Sequence, residues 1–280
     1  MSRVRVVTDS AAALPSAVAR THDVTVVPLR LTSGGGSRPD APAGDPPAPA
    51  STTAAPAPGE WIDAFTSRPA PGGVVAVTVA GSMSAAHVGA CAAARAAGGR
   101  VRVLDSGTAA AGQALVVLAA ARRAAAGASL DQVLGHAAAV AGRVRLVATL
   151  SSLEHLARSG RVPRAAAEAG RALRVNPVFE FRQGSVRRRR PALSRDAAVG
   201  RVCRAVAANA PAEELSCLRL AAMAPLDGTL SGDRLVELVR RALAPAARMA
   251  QPLLCEPGEV IVSHTGPTVA GVAWWWEPPV

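Results

Sequence analysis

A carboxylate, a hydroxyl and an imidazole stand in this chain as Asp9, Ser84 and His264. In a serine hydrolase, such a set supplies the orienting acid, the nucleophile and the general base. The local sequence argues against that chemistry. Gly81-Ser82-Met83-Ser84-Ala85 is not a G-x-S-x-G elbow, and nothing in the sequence indicates an orienting carboxylate beside His264. Each group also has a plain structural use. Asp9, Ser10, Ser82 and Ser84 are residue types that cap helices, and His264-Thr265-Gly266-Pro267 reads as a turn. Thr53, at the end of a Pro/Ala tract, carries no signal by itself. His87 and His155 lack partners at useful spacing and read as surface or packing residues. Cys91, Cys203, Cys217 and Cys255 are scattered without metal or redox spacing, so no metal is expected. Arg187, Arg188, Arg189 and Arg190 form the one local basic cluster, either a solvated hairpin or a docking face.

The elements that must position these groups follow from the apolar pattern. At 280 residues, half of them apolar, the chain is long enough for two domains with real cores. Aromatic residues make up only 2 %, so Ala, Val and Leu do the packing, and Ala-rich helices can approach closely. The net charge of +11 would suggest nucleic acid. All the basic residues are Arg, however, and Lys and Tyr are absent, a pattern of GC-rich codon usage. We therefore expect no nucleic-acid partner. The opening MSRVRVVTDS enters a strand pattern at once, and the apolar run at 114–121 is too short to span a bilayer. A cytoplasmic protein, monomeric and without membrane insertion, is expected.

β-Branched runs predict strands at 4–8, 24–31, 74–79, 101–104 and 144–150, with helices at 14–21, 59–66, 83–97, 109–126 and 130–141. Such alternation implies parallel pairing, an open three-layer sheet, and ligands beyond the carboxyl ends of its strands. Asp9-Ser10, Gly81 to Ser84 and Asp105-Ser106 all fall at those ends. No G-x-G-x-x-G or P-loop follows the first strand, which argues against a nucleotide site. The Pro/Gly-rich tract 33–58 is expected to be a mobile loop. The second half predicts helices at 153–158, 165–173, 197–208 and 231–243. Its strands are expected at 175–181, 186–190, 218–222 and 260–263, with a hairpin turn at Gln183-Gly184 and core packing for Trp274 to Trp276. The fold class is α/β: an N-terminal domain, 1–150, with an open, mostly parallel three-layer sheet, and a smaller C-terminal α/β domain, 151–280.

Six segments in order then add up to a pattern. VTDSAAALP at 7–15 resembles the VTDS-x-x-DLP start of the DegV family. Thr53-Ala54-Ala55-Pro56 is similar to its TSQPS segment, and VTVAGSMSAAHVGA at 77–90 to its S-x-x-LSGTY segment. VRVLDSGTAAAGQALVV at 101–117 resembles VIDS-x-x-x-S-x-G-x-G. LSSLEHLARSGRV at 150–162 resembles LEYLKKGGRI, and SHTGPTVAG at 263–271 resembles THVGPG-x-VG. The resemblance implies two α/β domains holding a long-chain fatty acid in an apolar tunnel. It implies a carrier that catalyses nothing itself, needs no cofactor, and presents the acyl carboxyl group to a separate fatty-acid kinase. By motif, the carboxylate ligands would be Thr53, Ser84 and His264, supported by Asp9, Ser10, Ser82 and Ala85, with the Arg187 to Arg190 run as a docking face. The residue types suit that task, because hydroxyls and N–H groups at a helix start hydrogen-bond an anion. The chain departs from the pattern at Ala54 and Ala85, which stand for the family's Ser and Gly, and at Leu193, where relatives usually carry Arg.

Overall fold

The computed structural model describes residues 3–33, 36–43, 51–160, 164, 165, 168, 175–211 and 216–279. From the N-terminus come β1 (Arg5–Asp9), α1 (Ser16–Thr21), β2 (Val24–Val27), β3 (Arg30–Ser33), β4 (Gly36–Pro39) and β5 (Thr52–Ala54). Next are α2 (Pro58–Thr66), β6 (Val74–Thr78), α3 (Ala86–Ala97), β7 (Val101–Asp105), α4 (Ala110–Ala125) and α5 (Leu130–Ala141). The second half adds β8 (Arg145–Thr149), α6 (Glu154–Arg158), β9 (Asn176–Arg182), β10 (Ser185–Ala192) and α7 (Arg195–Ala207). It closes with β11 (Cys217–Met223), α8 (Gly232–Ala242), β12 (Arg248–Met249), β13 (Leu253–Cys255), α9 (Glu259–Thr265) and β14 (Ala270–Glu277).

The fold is mixed α/β. A parallel sheet runs in the order β2-β1-β6-β7. Its central strands β1 and β6 are buried along their whole length, because helices cover both faces. A larger sheet runs β10-β9-β8-β14-β11-β12, with β13 also on β11. Here β8 pairs antiparallel with both β9 and β14, so the strand at 144–150 does not extend the parallel series. Periodicity could not separate the two cases, since a strand buried on both faces looks the same in either sheet.

Helix α4 joins the two sheets. It packs on β1 and β6 of one and on β11 and β14 of the other. Thirteen of its sixteen residues are buried, so it is enclosed on all sides up to Ala121, where most helices carry one apolar stripe, and Arg122 and Arg123 in its last turn are exposed. Ala111, Ala114, Ala120 and Ala121 let both sheets come close to its axis, and the main core is continuous from Val6 through α4 to Ala273. Among the described residues, no helix is long and apolar enough to cross a membrane.

Two further expectations are corrected. The tract 33–58 is not a loop throughout its described part: β4, β3 and β5 form a small antiparallel sheet in that order. Backbone hydrogen bonds and one buried anchor, Leu31, hold it, and neither depends on large apolar residues within the tract. Residues 34, 35 and 44–50 of that tract lie outside the described residues, as does most of the helix expected at 165–173. The strand expected at 260–263 is the helix α9. Its three buried β-branched residues Val260, Ile261 and Val262 fit either element over so short a span.

Candidate functional site

β5 pairs with β3, setting Thr53 opposite Leu31, and α9 packs against both strands. This brings Thr53 Oγ1 to 2.9 Å from His264 Nε2, across 211 residues of sequence. Both side chains are half-buried. A hydroxyl and an imidazole so placed can each hydrogen-bond one anion, and either can donate once the other accepts.

The seat of α9 is fixed by a residue that sequence reasoning missed. The Asp40 carboxylate accepts from Ser10 Oγ at 2.6 Å and from the Val260 N–H at 3.0 Å. Ser10 Oγ in turn accepts from the Leu29 N–H at 3.0 Å. A Cβ at Gly258 would lie 2.6 Å from Asp40 Oδ2, so glycine is what allows this approach. Burial pushes the Asp40 carboxyl above the usual carboxylate range. Around it, Glu259 N–H donates to Ala41 O and Ala43 N–H to Pro257 O, and Arg38 pairs with Glu259. No local pattern could have flagged Asp40, because its partner is 220 residues away. At the other end of α9, Gly266 at φ +79 lies directly against the ring of His155. His155, expected to be a surface or packing residue, therefore packs, and props the helix end that carries His264.

Asp9 is fully enclosed. Its carboxylate accepts from Ala11 N–H at 3.1 Å, Val79 N–H at 2.8 Å and Gln113 Nε2 at 3.0 Å. Burial pushes its pKa up to about 6. Gln113 also donates to Thr8 Oγ1, which donates to Val77 O. Asp9 thus ties β1, the end of β6 and α4 together.

The turn after β6 holds the remaining residues. Ser82 Oγ donates to Gly184 O at 3.0 Å, and Gly184 N–H donates to Gly107 O at 2.8 Å, so the β9–β10 hairpin locks onto the strand ends of the parallel sheet. Gly81 and Gly107 N–H groups both donate to Asp105, bracing the same loops. Ser84, half-buried, accepts from Ala86 N–H at 3.2 Å. Helix α3 starts three residues later than expected, with Ala85 in the N-cap seat and no side chain capping from it. His87, read as having no useful partner, bonds Thr78 Oγ1 through Nδ1 at 3.0 Å and faces Cys91 Sγ through Nε2 at 3.6 Å. Arg187 to Arg190 lie exposed on β10, the edge strand of the larger sheet, with Arg189 3.6 Å from Glu180.

The hydrolase reading finds no support here. Asp9 is bonded to Gln113 and backbone amides, Ser84 to Ala86 N–H, and His264 to Thr53. A family model described as "Uncharacterised protein, DegV family" matches residues 3–277. The chain belongs to the DegV family. A DegV domain-containing protein of Streptomyces coelicolor is 31% identical over 288 residues, spanning 97% of this chain and 98% of that protein. The solved structure described as fatty acid binding of a DegV family protein from Thermus thermophilus superposes with a TM-score of 0.83 at 26% identity. It covers 98% of this chain and 99% of that one. DegV of Bacillus subtilis, described as a fatty acid binding protein, shares the fold with a TM-score of 0.80 at 22% identity, covering 99% and 100%. Within this DegV fold, the Thr53–His264 pair joins β5 of the first half to α9 of the second.

Proposed function

We propose that this chain binds one long-chain fatty acid. Its carboxylate is hydrogen-bonded by Thr53, Ser84 and His264, and its tail lies in the apolar slab beside α4. The observation that carries this reading is the Thr53 Oγ1 to His264 Nε2 approach of 2.9 Å, which joins two halves of the chain at a half-buried polar spot. The fatty acid bound by the Thermus thermophilus relative supports the ligand class. Energetics favour a long chain: burial contributes about 0.8 kcal/mol per CH₂, so the tail outweighs a headgroup hydrogen bond of about 1.5–3 kcal/mol. The headgroup supplies position rather than most of the affinity.

The chain acts as a carrier and catalyses nothing itself. A half-buried headgroup is reachable from outside, so a separate kinase can phosphorylate the bound carboxyl to an acyl phosphate. The exposed Arg187 to Arg190 edge offers an acidic partner surface a docking face.

Thr53→Val keeps the shape of the side chain and removes the hydroxyl. Titration with a fluorescent long-chain fatty acid is expected to show roughly 10- to 100-fold weaker binding, the equivalent of one hydrogen bond to a charged group. Unchanged binding in both Thr53→Val and His264→Gln would overturn the headgroup assignment.

A further inference from the structure

A second site-like feature lies away from the Thr53–His264 pair. A cavity of about 310 Å³ opens between the C-terminal half of α4, α5 and strands β11, β13 and β14 of the larger sheet. Its floor is apolar, formed by Leu115, Leu118, Leu253 and Trp275. Its rim is charged, carrying Arg122, Arg123, Arg219 and Glu277. Arg219 is engaged by Glu277, with Nε donating to Oε2 at 2.7 Å. Among the described residues, neither the Arg122 nor the Arg123 guanidinium has a hydrogen bond or an ion pair. Three guanidinium groups against one carboxylate leave two positive charges over an apolar floor. His136 stands edge-on to Trp275, with ring centroids 6.4 Å apart. Burial, then Arg123, holds His136 below its ordinary pKa, so it is neutral at pH 7 and the rim charge belongs to the arginines.

We propose that this cavity is a binding site for a small amphipathic anion, with its apolar body on Leu115, Leu118, Leu253 and Trp275 and its anionic head between Arg122 and Arg123. The size suits such a ligand, at the lower end of the range for small-molecule pockets. A carboxylate, sulfonate or phosphate head offers the acceptors that two guanidinium forks can meet. The cavity does not serve as the blind end of the acyl slab. A terminal methyl group calls for no guanidinium, and an acyl tail there would desolvate the arginines without pairing them.

The test uses the full chain preloaded with palmitate and titrated with 1-anilinonaphthalene-8-sulfonate. Expected is saturable, single-site binding that persists in the loaded protein, with energy transfer from Trp275. The Kd should rise at least tenfold in an Arg122→Ala/Arg123→Ala variant. Both arginines sit on an exposed helix surface where Ala favours helix, so equal thermal melting verifies the fold. Loss of probe binding on palmitate loading, or equal binding in the double-arginine variant, would overturn the proposal. A protein that takes up no palmitate but still binds the probe through the arginines would instead refute the fatty-acid reading and leave this one standing.

Discussion

At the residue scale, the buried carboxylate of Asp9 carries the sharpest pH prediction. Its folded pKa of about 6 lies above the ordinary 3.8, so the folded chain holds this proton where the unfolded chain has lost it. Stability from this group is therefore fully present below about pH 4 and declines as pH rises to about 6. The total is about 3 kcal/mol, at 1.36 kcal/mol per pKa unit. Asp9→Asn removes the titration at a fixed cost, because one amide N–H then meets another donor. The stability difference between the two proteins, from urea unfolding at pH 4 and pH 7, should shift by about that amount in favour of the variant; a flat difference would show that Asp9 titrates normally. Residue types at this scale were partly legible. Asp9 and Ser10 were readable as turn or cap residues, and Asp9 does cap the first turn. The bridging roles of Ser10, Ser82 and Asp40 were not legible, because those bridges join segments 19 to 220 residues apart.

At the element scale, α9 connects sequence to site. Its run of Val260, Ile261 and Val262 has strand propensity, and the chain is helical there because its surroundings decide it. Asp40 accepts from Val260 N–H, Gly258 lets that carboxylate close in, and His155 packs under Gly266. Gly258→Ala should therefore destabilise the protein by about 1–3 kcal/mol through overpacking. Asp40→Ala should recover part of that loss in the double variant, a coupling that a thermal or urea double-mutant cycle would measure. Strict additivity would mean that the close approach does not fix α9. Long periodic elements such as α4, α5, β1 and β6 were legible because burial pattern and length agree. The sheet of β3, β4 and β5 was not, since its stability lies in backbone pairing that composition does not encode.

At the scale of the whole molecule, two sheets share α4, and the ties that cross between the halves include Asp40 to α9, Ser82 to the β9–β10 hairpin, and Thr53 to His264. Strand–helix alternation made the parallel half readable, while the antiparallel placement of β8 and β14 depends on pairing partners that lie far apart in sequence. The central claim is that this arrangement holds a long-chain fatty acid without transforming it. Native mass spectrometry of protein made in cells, followed by extraction of what it carries, tests that claim most directly. The account predicts one long-chain fatty acid per chain, unmodified and noncovalently held. A chain that emerges empty, and then takes up none of a panel of saturated and unsaturated fatty acids, would contradict it.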